Sequence, residues 1–94
     1  MNRDLAAALA KFSNSPTALA DAIGEPVKRQ NIEYWIEVGH VPPQHAPSIE
    51  RVSHGAASCE GLTKDGVVWA RIPDKTWPWH KRGRPVLDVS KVAA

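Results

Sequence analysis

Up to about residue 65, apolar residues recur at helical spacing; after that, one short stretch alternates. Leu5, Leu9 and Phe12 share one face of a first helix, which Ser13, Asn14 and Ser15 stop. Ser15 followed by Pro16 predicts the next start, since serine can cap free backbone N–H groups and proline lacks the one that would be orphaned. Leu19, Ala20 and Ile23 point inward on this second helix, and Gly24 ends it. Val27, Ile32, Trp35 and Ile36 form the apolar stripe of a third helix that stops at Gly39. A proline-rich loop leads to a fourth, with Ala46, Ile49 and Val52 on one face, Pro47 in its first turns and Gly55 closing it. Ser58 caps a fifth helical turn with Leu62 inward, weakened by Gly61. The alternation in "VVWARI", residues 67–72, predicts a short strand.

Composition narrows the function classes. With 94 residues, 43% of them hydrophobic, the chain suits one small domain with a modest core, without a catalytic cleft between domains. A lone Cys59 cannot close an intramolecular disulfide, which points to a reducing, cytoplasmic setting. The run Leu5 to Ala10 is too short for a membrane span, and its flanks do not make a signal peptide. His40, His45, His54, His80 and Cys59 do not stand at the i, i+4 spacing of paired metal ligands, and the carboxylates are scattered. The expectation is a non-enzyme with no metal or cofactor. Net charge is only +2, but Lys75, Lys81, Arg82 and Arg84 face Asp74 alone between residues 74 and 84. The composition shifts after about Arg71, dividing a helical domain, residues 1–65, from a basic, Trp/Pro-rich extension, residues 66–94.

Helices two and three carry the most specific pattern. A helix-turn-helix needs a small residue at the crossing, a glycine at the corner and apolar wedges that turn the outer face of the second helix toward a major groove. Ala20, Gly24, Val27, Ile32 and Trp35 fill those roles in order, although Glu25 and Pro26 lengthen the corner. The outer face carries Lys28, Arg29, Gln30, Glu33 and Tyr34. Arg29 can fork onto guanine, Gln30 can pair with adenine and Glu33 can accept from cytosine. The alternative is a plain αα-hairpin with a solvated polar face, which Glu33 and Glu37 favour and the outward ring of Tyr34 disfavours.

The segment from Ser15 to Leu62, "SPTALADAIGEPVKRQNIEYWIEVGHVPPQHAPSIERVSHGAASCEGL", resembles the Cro and YdaS-type regulators, small phage-derived repressors and antitoxins of the lambda-repressor-like helix-turn-helix class. The resemblance runs from about Leu5 to Trp69, and its most specific part is the run holding Pro47, Ile49, Glu50, Arg51, Gly55 and Ser58. It implies a mainly α fold: a lambda-repressor-like bundle of four to five short helices, plus a C-terminal tail forming a short strand or hairpin. It further implies that Thr17 touches the phosphate backbone and that Lys28, Arg29, Gln30, Glu33 and Tyr34 face the groove. The partner is then double-stranded DNA, bound by a homodimer on a palindromic operator in the nucleoid, since one short helix meets too few base pairs to be selective. An antitoxin would add a toxin or other neighbouring-gene product as partner. The chain departs from the pattern at Glu25 and Pro26, with Pro26 expected as the first residue of the third helix. It departs again at Gly61, where relatives favour a helix former, and at Asn31, in place of a small residue facing the first helix of the pair.

The tail adds a second candidate contact. "RGRP", Arg82 to Pro85, resembles an AT-hook core, whose extended arginines enter a narrow minor groove; plain phosphate contact by Arg82 and Arg84 and a structural or dimer-contact role for the extension are the alternatives. Trp69, Trp77 and Trp79 either stack on bases or pin the tail to the core, and the predicted strand has the chance to pair across a dimer axis. A helical protein-interaction module without any DNA role is the reading from another class, and steep salt dependence of binding separates it from DNA contact.

Overall fold

Three of the helices begin where a side chain satisfies backbone N–H groups that have no partner within the helix. Asn2 accepts from the Leu5 N–H to open α1 (Arg3–Ala10), Ser15 accepts from Ala18 to open α2 (Pro16–Ile23), and Ser58 accepts from Gly61 to open α5 (Cys59–Leu62). Between them lie α3 (Arg29–Val38) and α4 (Ala46–Val52). This computed structural model describes residues 2–87, and the described residues form these five helices followed by an antiparallel hairpin of β1 (Trp69–Ile72) and β2 (Arg84–Leu87). No helix among them is long and apolar enough to cross a membrane.

Leu5, Leu9, Leu19, Ile32, Trp35, Ile49 and Leu62 share one core, drawn from all five helices. Phe12 lies past the end of α1 but packs against that core from the following turn. The start of α1 and the start of α5 are tied together there, because Asn2 Nδ2 donates to the Gly61 carbonyl at 2.8 Å and the Ser58 N–H donates to Asp4 at 2.8 Å. Glycine at position 61 follows from this contact. A Cβ there would meet the Asp4 carboxylate, so a helix-favouring residue would displace Asp4 from the Ser58 N–H and hydroxyl it binds.

The strand predicted over 67–72 forms at Trp69–Ile72, but it pairs with β2 of its own chain, Trp69 opposite Leu87 and Ile72 opposite Arg84. The hairpin is held to the helices by Arg71. Its five N–H groups make five hydrogen bonds: two to Glu50 at 2.7 Å, two to Glu60 at 2.6 and 3.0 Å, and one to the Gly83 carbonyl. Trp77 Nε1 and the Cys59 N–H also donate to Glu50, at 2.7 and 3.0 Å. The side chains of Arg71 and Glu50 are 1% and 0% exposed, so this is an ion pair out of water and fully hydrogen-bonded. Burial alone pushes the Glu50 carboxyl up, but the bonds from Arg71, Trp77 and Cys59 outweigh it and hold it below the usual range. Arg71 likewise holds Glu60 low.

Trp77 and Trp79 meet edge to face with ring centroids 4.8 Å apart, and Trp79 stacks on His54 just beyond α4. With Trp77 bound to Glu50, these two tryptophans pin the hairpin loop to the core. Residues 88–94, the end of the extension, lie outside the described residues.

Candidate nucleic-acid interface

The corner between α2 and α3 is set by Gly24. Its φ of 90° and ψ of 173° fall in a region only glycine occupies comfortably, and its N–H donates back to the Ala20 carbonyl to finish α2. The Val27 N–H then reaches the Gly24 carbonyl at 3.1 Å, making Glu25 and Pro26 the two central residues of a closed turn. The third helix therefore starts at Arg29, with Lys28 as its cap position, and not at Pro26 as the chain pattern suggests. Val27 is buried ahead of the helix, and Ile32 and Trp35 wedge α3 inward, the Trp35 ring lying 5.2 Å from that of His45. Gly24→Ala should cost about 1–3 kcal/mol through backbone strain alone, since no atom lies within 4 Å of the added Cβ. Thermal unfolding of that variant checks this.

Asn31 differs from its expected place. It is exposed, and its Oδ1 accepts from the Lys28 N–H at 2.8 Å, closing the first turn of its own helix instead of facing α2. Asparagine is suited to that task because its short amide reaches back to the helix start.

An open groove of about 300 Å³ lies along this corner, lined by Thr17, Asp21, Glu25, Lys28 and Arg29, with Ala20, Gly24 and Val27 beneath. The structure thus brings Thr17, Lys28 and Arg29 together. Gln30 and Glu33 are exposed on the next faces of α3, and Glu33 Oε1 lies 3.0 Å from Arg29 Nε as an ion pair. Lys28 Nζ lies 2.6 Å from Glu25 Oε1. Both pairs are more than half exposed, so each contributes about 0–1 kcal/mol and yields readily to another partner.

Tyr34 follows Gln30 by one turn of α3 but stands apart from Thr17, Lys28 and Arg29. At 3.6 residues per turn it projects roughly 140° around the axis from Arg29, and it borders a different groove with Val38 and Pro42. Arg82 and Arg84 also lie elsewhere, on the hairpin. Arg82 is exposed in the loop, with its N–H on His80 Nδ1, while Arg84 opens β2 with its Nε 3.4 Å from Asp74. Gly83 between them is buried, so the "RGRP" segment is folded into the hairpin and not a free extended arm.

Of the two carboxylates in the corner, Asp21 was missed by sequence reasoning, and Glu25 was read only as lengthening the turn. Asp21 is four residues after Thr17 and so shares its helix face, a spacing that signals a common site. These acids leave a mixed groove, in which polar groups can pair with base edges as well as with phosphate. Elsewhere, Cys59 is buried beside Glu50, and burial together with that negative charge pushes its thiol well up, opposite to the lowered pKa of a reactive thiolate. Among the described residues no three His, Cys, Asp or Glu side chains stand close enough to hold a metal ion. No family model matches the chain, and no curated protein or solved structure does so either.

Proposed function

We propose that this chain is a sequence-specific DNA-binding transcriptional regulator of the lambda-repressor-like helix-turn-helix class, a Cro-like repressor acting as a homodimer on a palindromic operator. One observation carries the reading. The first turn of α3 presents Arg29 and Gln30 outward beside Lys28 and Thr17, while Ile32 and Trp35 lock the opposite face of the same helix into the core. That is the arrangement by which a helix enters a major groove with its N-terminal residues on the base edges.

The energetics favour exchange on binding. An exposed pair such as Arg29 with Glu33 is worth about 0–1 kcal/mol, whereas a bidentate arginine–guanine contact discriminates by about 1–3 kcal/mol. Glu33 then serves to orient the guanidinium in the free protein and to accept from cytosine in the complex. Thr17 and Lys28 hold the phosphates that border the groove. Arg82 adds phosphate contact from the hairpin loop.

A mobility-shift assay on the DNA upstream of the chain's own gene, at two salt concentrations, tests this. Arg29→Ala should lose about 5- to 150-fold in affinity for the operator, the equivalent of 1–3 kcal/mol, and little on unrelated duplex. Arg82→Ala should weaken all duplexes alike and reduce the salt slope by roughly one. If Arg29→Ala binds and discriminates like the parent, the reading is lost.

A further inference from the structure

Both cations at the start of α3 are held by a carboxylate of their own chain. Lys28 Nζ lies 2.6 Å from Glu25 Oε1 and Arg29 Nε lies 3.0 Å from Glu33 Oε1, and all four side chains are more than half exposed. Glu25 owes its place to the lengthened corner. The Val27 N–H on the Gly24 carbonyl closes the turn and sets Glu25 on the rim of the corner groove, three residues before Lys28. Asp21 lines the same groove from α2, exposed and without a salt bridge among the described residues. The reading turn therefore has three carboxylates, Asp21, Glu25 and Glu33, around two cations, Lys28 and Arg29.

We propose that Glu25 is a specificity-determining residue that works by exclusion: it keeps Lys28 from the phosphates of any duplex that gives the carboxylate nothing in return, and Asp21 supports it from α2. The chemistry of a duplex makes a carboxylate selective. Phosphate and deoxyribose offer only acceptors, so the backbone can take a lysine but cannot answer an acid. In the major groove the donors are the amino groups of cytosine and adenine. A duplex that draws Lys28 away without placing an amino group near Glu25 leaves a carboxylate facing phosphate, and that juxtaposition of like charges weakens the complex. Where the amino group is in place, one exposed pair is exchanged for two contacts, lysine on phosphate and carboxylate on base. Discrimination then comes from penalising the wrong duplex as well as from rewarding the right one.

The exclusion rests on the DNA-binding reading and deepens it. It gives the lengthened corner a task, since Glu25 is one of the two residues by which the chain departs from a tight helix-turn-helix. It also separates the roles of neighbours on one turn: Arg29 raises affinity for the operator, whereas Glu25 lowers affinity for everything else.

Mobility shift of the full chain at a series of salt concentrations tests this, on the duplex that the parent enriches from a random-sequence pool and on an unrelated duplex. Circular dichroism verifies that each variant is folded. Glu25→Gln should bind the unrelated duplex about threefold to tenfold more tightly than the parent, with a salt slope steeper by roughly one, because Lys28 is released to neutralise a phosphate. On the enriched duplex it should gain nothing or lose, so the ratio of the two affinities falls. Asp21→Asn should lower the same ratio. Adding Lys28→Gln to Glu25→Gln should remove the extra slope. A purely structural role for Glu25 in the turn would weaken binding to both duplexes and leave the slope unchanged. That outcome, an equal gain on both duplexes, or an extra slope that survives the loss of Lys28 overturns the proposal. A parent that selects its duplex while Glu25→Gln matches it throughout leaves DNA recognition standing without the exclusion, whereas a parent that binds neither duplex removes both.

Discussion

Arg71→Ala should lower the unfolding free energy by about 3–5 kcal/mol, because it strands a buried carboxylate, and that is a large part of the roughly 5–15 kcal/mol a domain of this kind has in hand. The carboxylate is Glu50, 0% exposed, with only Trp77 Nε1 and the Cys59 N–H left to serve it. The hairpin would lose its anchor in the same step, since Arg71 also joins Glu60 and the Gly83 carbonyl. Urea denaturation followed by circular dichroism checks the size. Adding Glu50→Gln to Arg71→Ala should recover part of the loss, because the stranded charge is gone.

The pH dependence of this pair has a definite sign. Glu50 and Glu60 are held below their ordinary values in the folded chain. Their contribution is therefore complete above the unfolded carboxylate range, about pH 4.3, and is lost as pH falls through the depressed folded values. In Arg71→Ala the buried Glu50 has lost its cation, so its carboxyl rises and protonation favours the folded state. The gap between parent and variant should accordingly be largest near neutral pH and shrink in acid. A gap that is constant with pH would mean that Arg71 acts by packing alone.

Trp35→Ala is the second large effect, at about 3–5 kcal/mol for loss of a buried indole and the cavity left behind. Trp35 is 3% exposed and packs on His45, so its removal frees the middle of α3 from the core. Its neighbour makes the control. Tyr34 is 61% exposed, and truncating it to alanine should change the stability of the folded chain by no more than about 0.5 kcal/mol. On the proposed DNA-binding function, Trp35→Ala at a temperature where it remains folded should also blunt discrimination, because Trp35 packs α3 against the core, while Tyr34→Ala should not alter base preference.

What could be read from the chain alone was whatever depends on near neighbours. Ser15, Ser58, Gly24 and Gly39 mark helix ends because a cap or a positive φ involves only the adjoining turn, and all four stand where the spacing put them. The start of α3 was misplaced at Pro26 because proline fits the first helical position and the centre of a turn equally well. Closure of the turn by the Val27 N–H, not proline geometry, decides between them. Asn31 was misassigned for a related reason, since a cap that reaches backward from within the helix leaves no mark in the apolar pattern. Glu50 was the deeper omission. It follows Ile49 on the inward face of α4, and a carboxylate there demands a partner, but the partner lies 21 residues on, in a strand. The one arginine inside the alternating stretch "VVWARI" was the available signal. The corner groove was partly legible: Thr17, Lys28 and Arg29, each singled out from the chain, line one groove, while Tyr34 borders another and Arg82 and Arg84 sit on the hairpin and its loop.

Sequence reading by α3 is tested most directly by selecting bound duplexes from a random-sequence pool with the parent and with Arg29→Ala. The parent should enrich a two-fold symmetric motif with half-sites about 10 base pairs apart, centre to centre, and Arg29→Ala should enrich the same motif with one base preference relaxed in each half. An enriched pool without any motif, or an unchanged motif from Arg29→Ala, would contradict it.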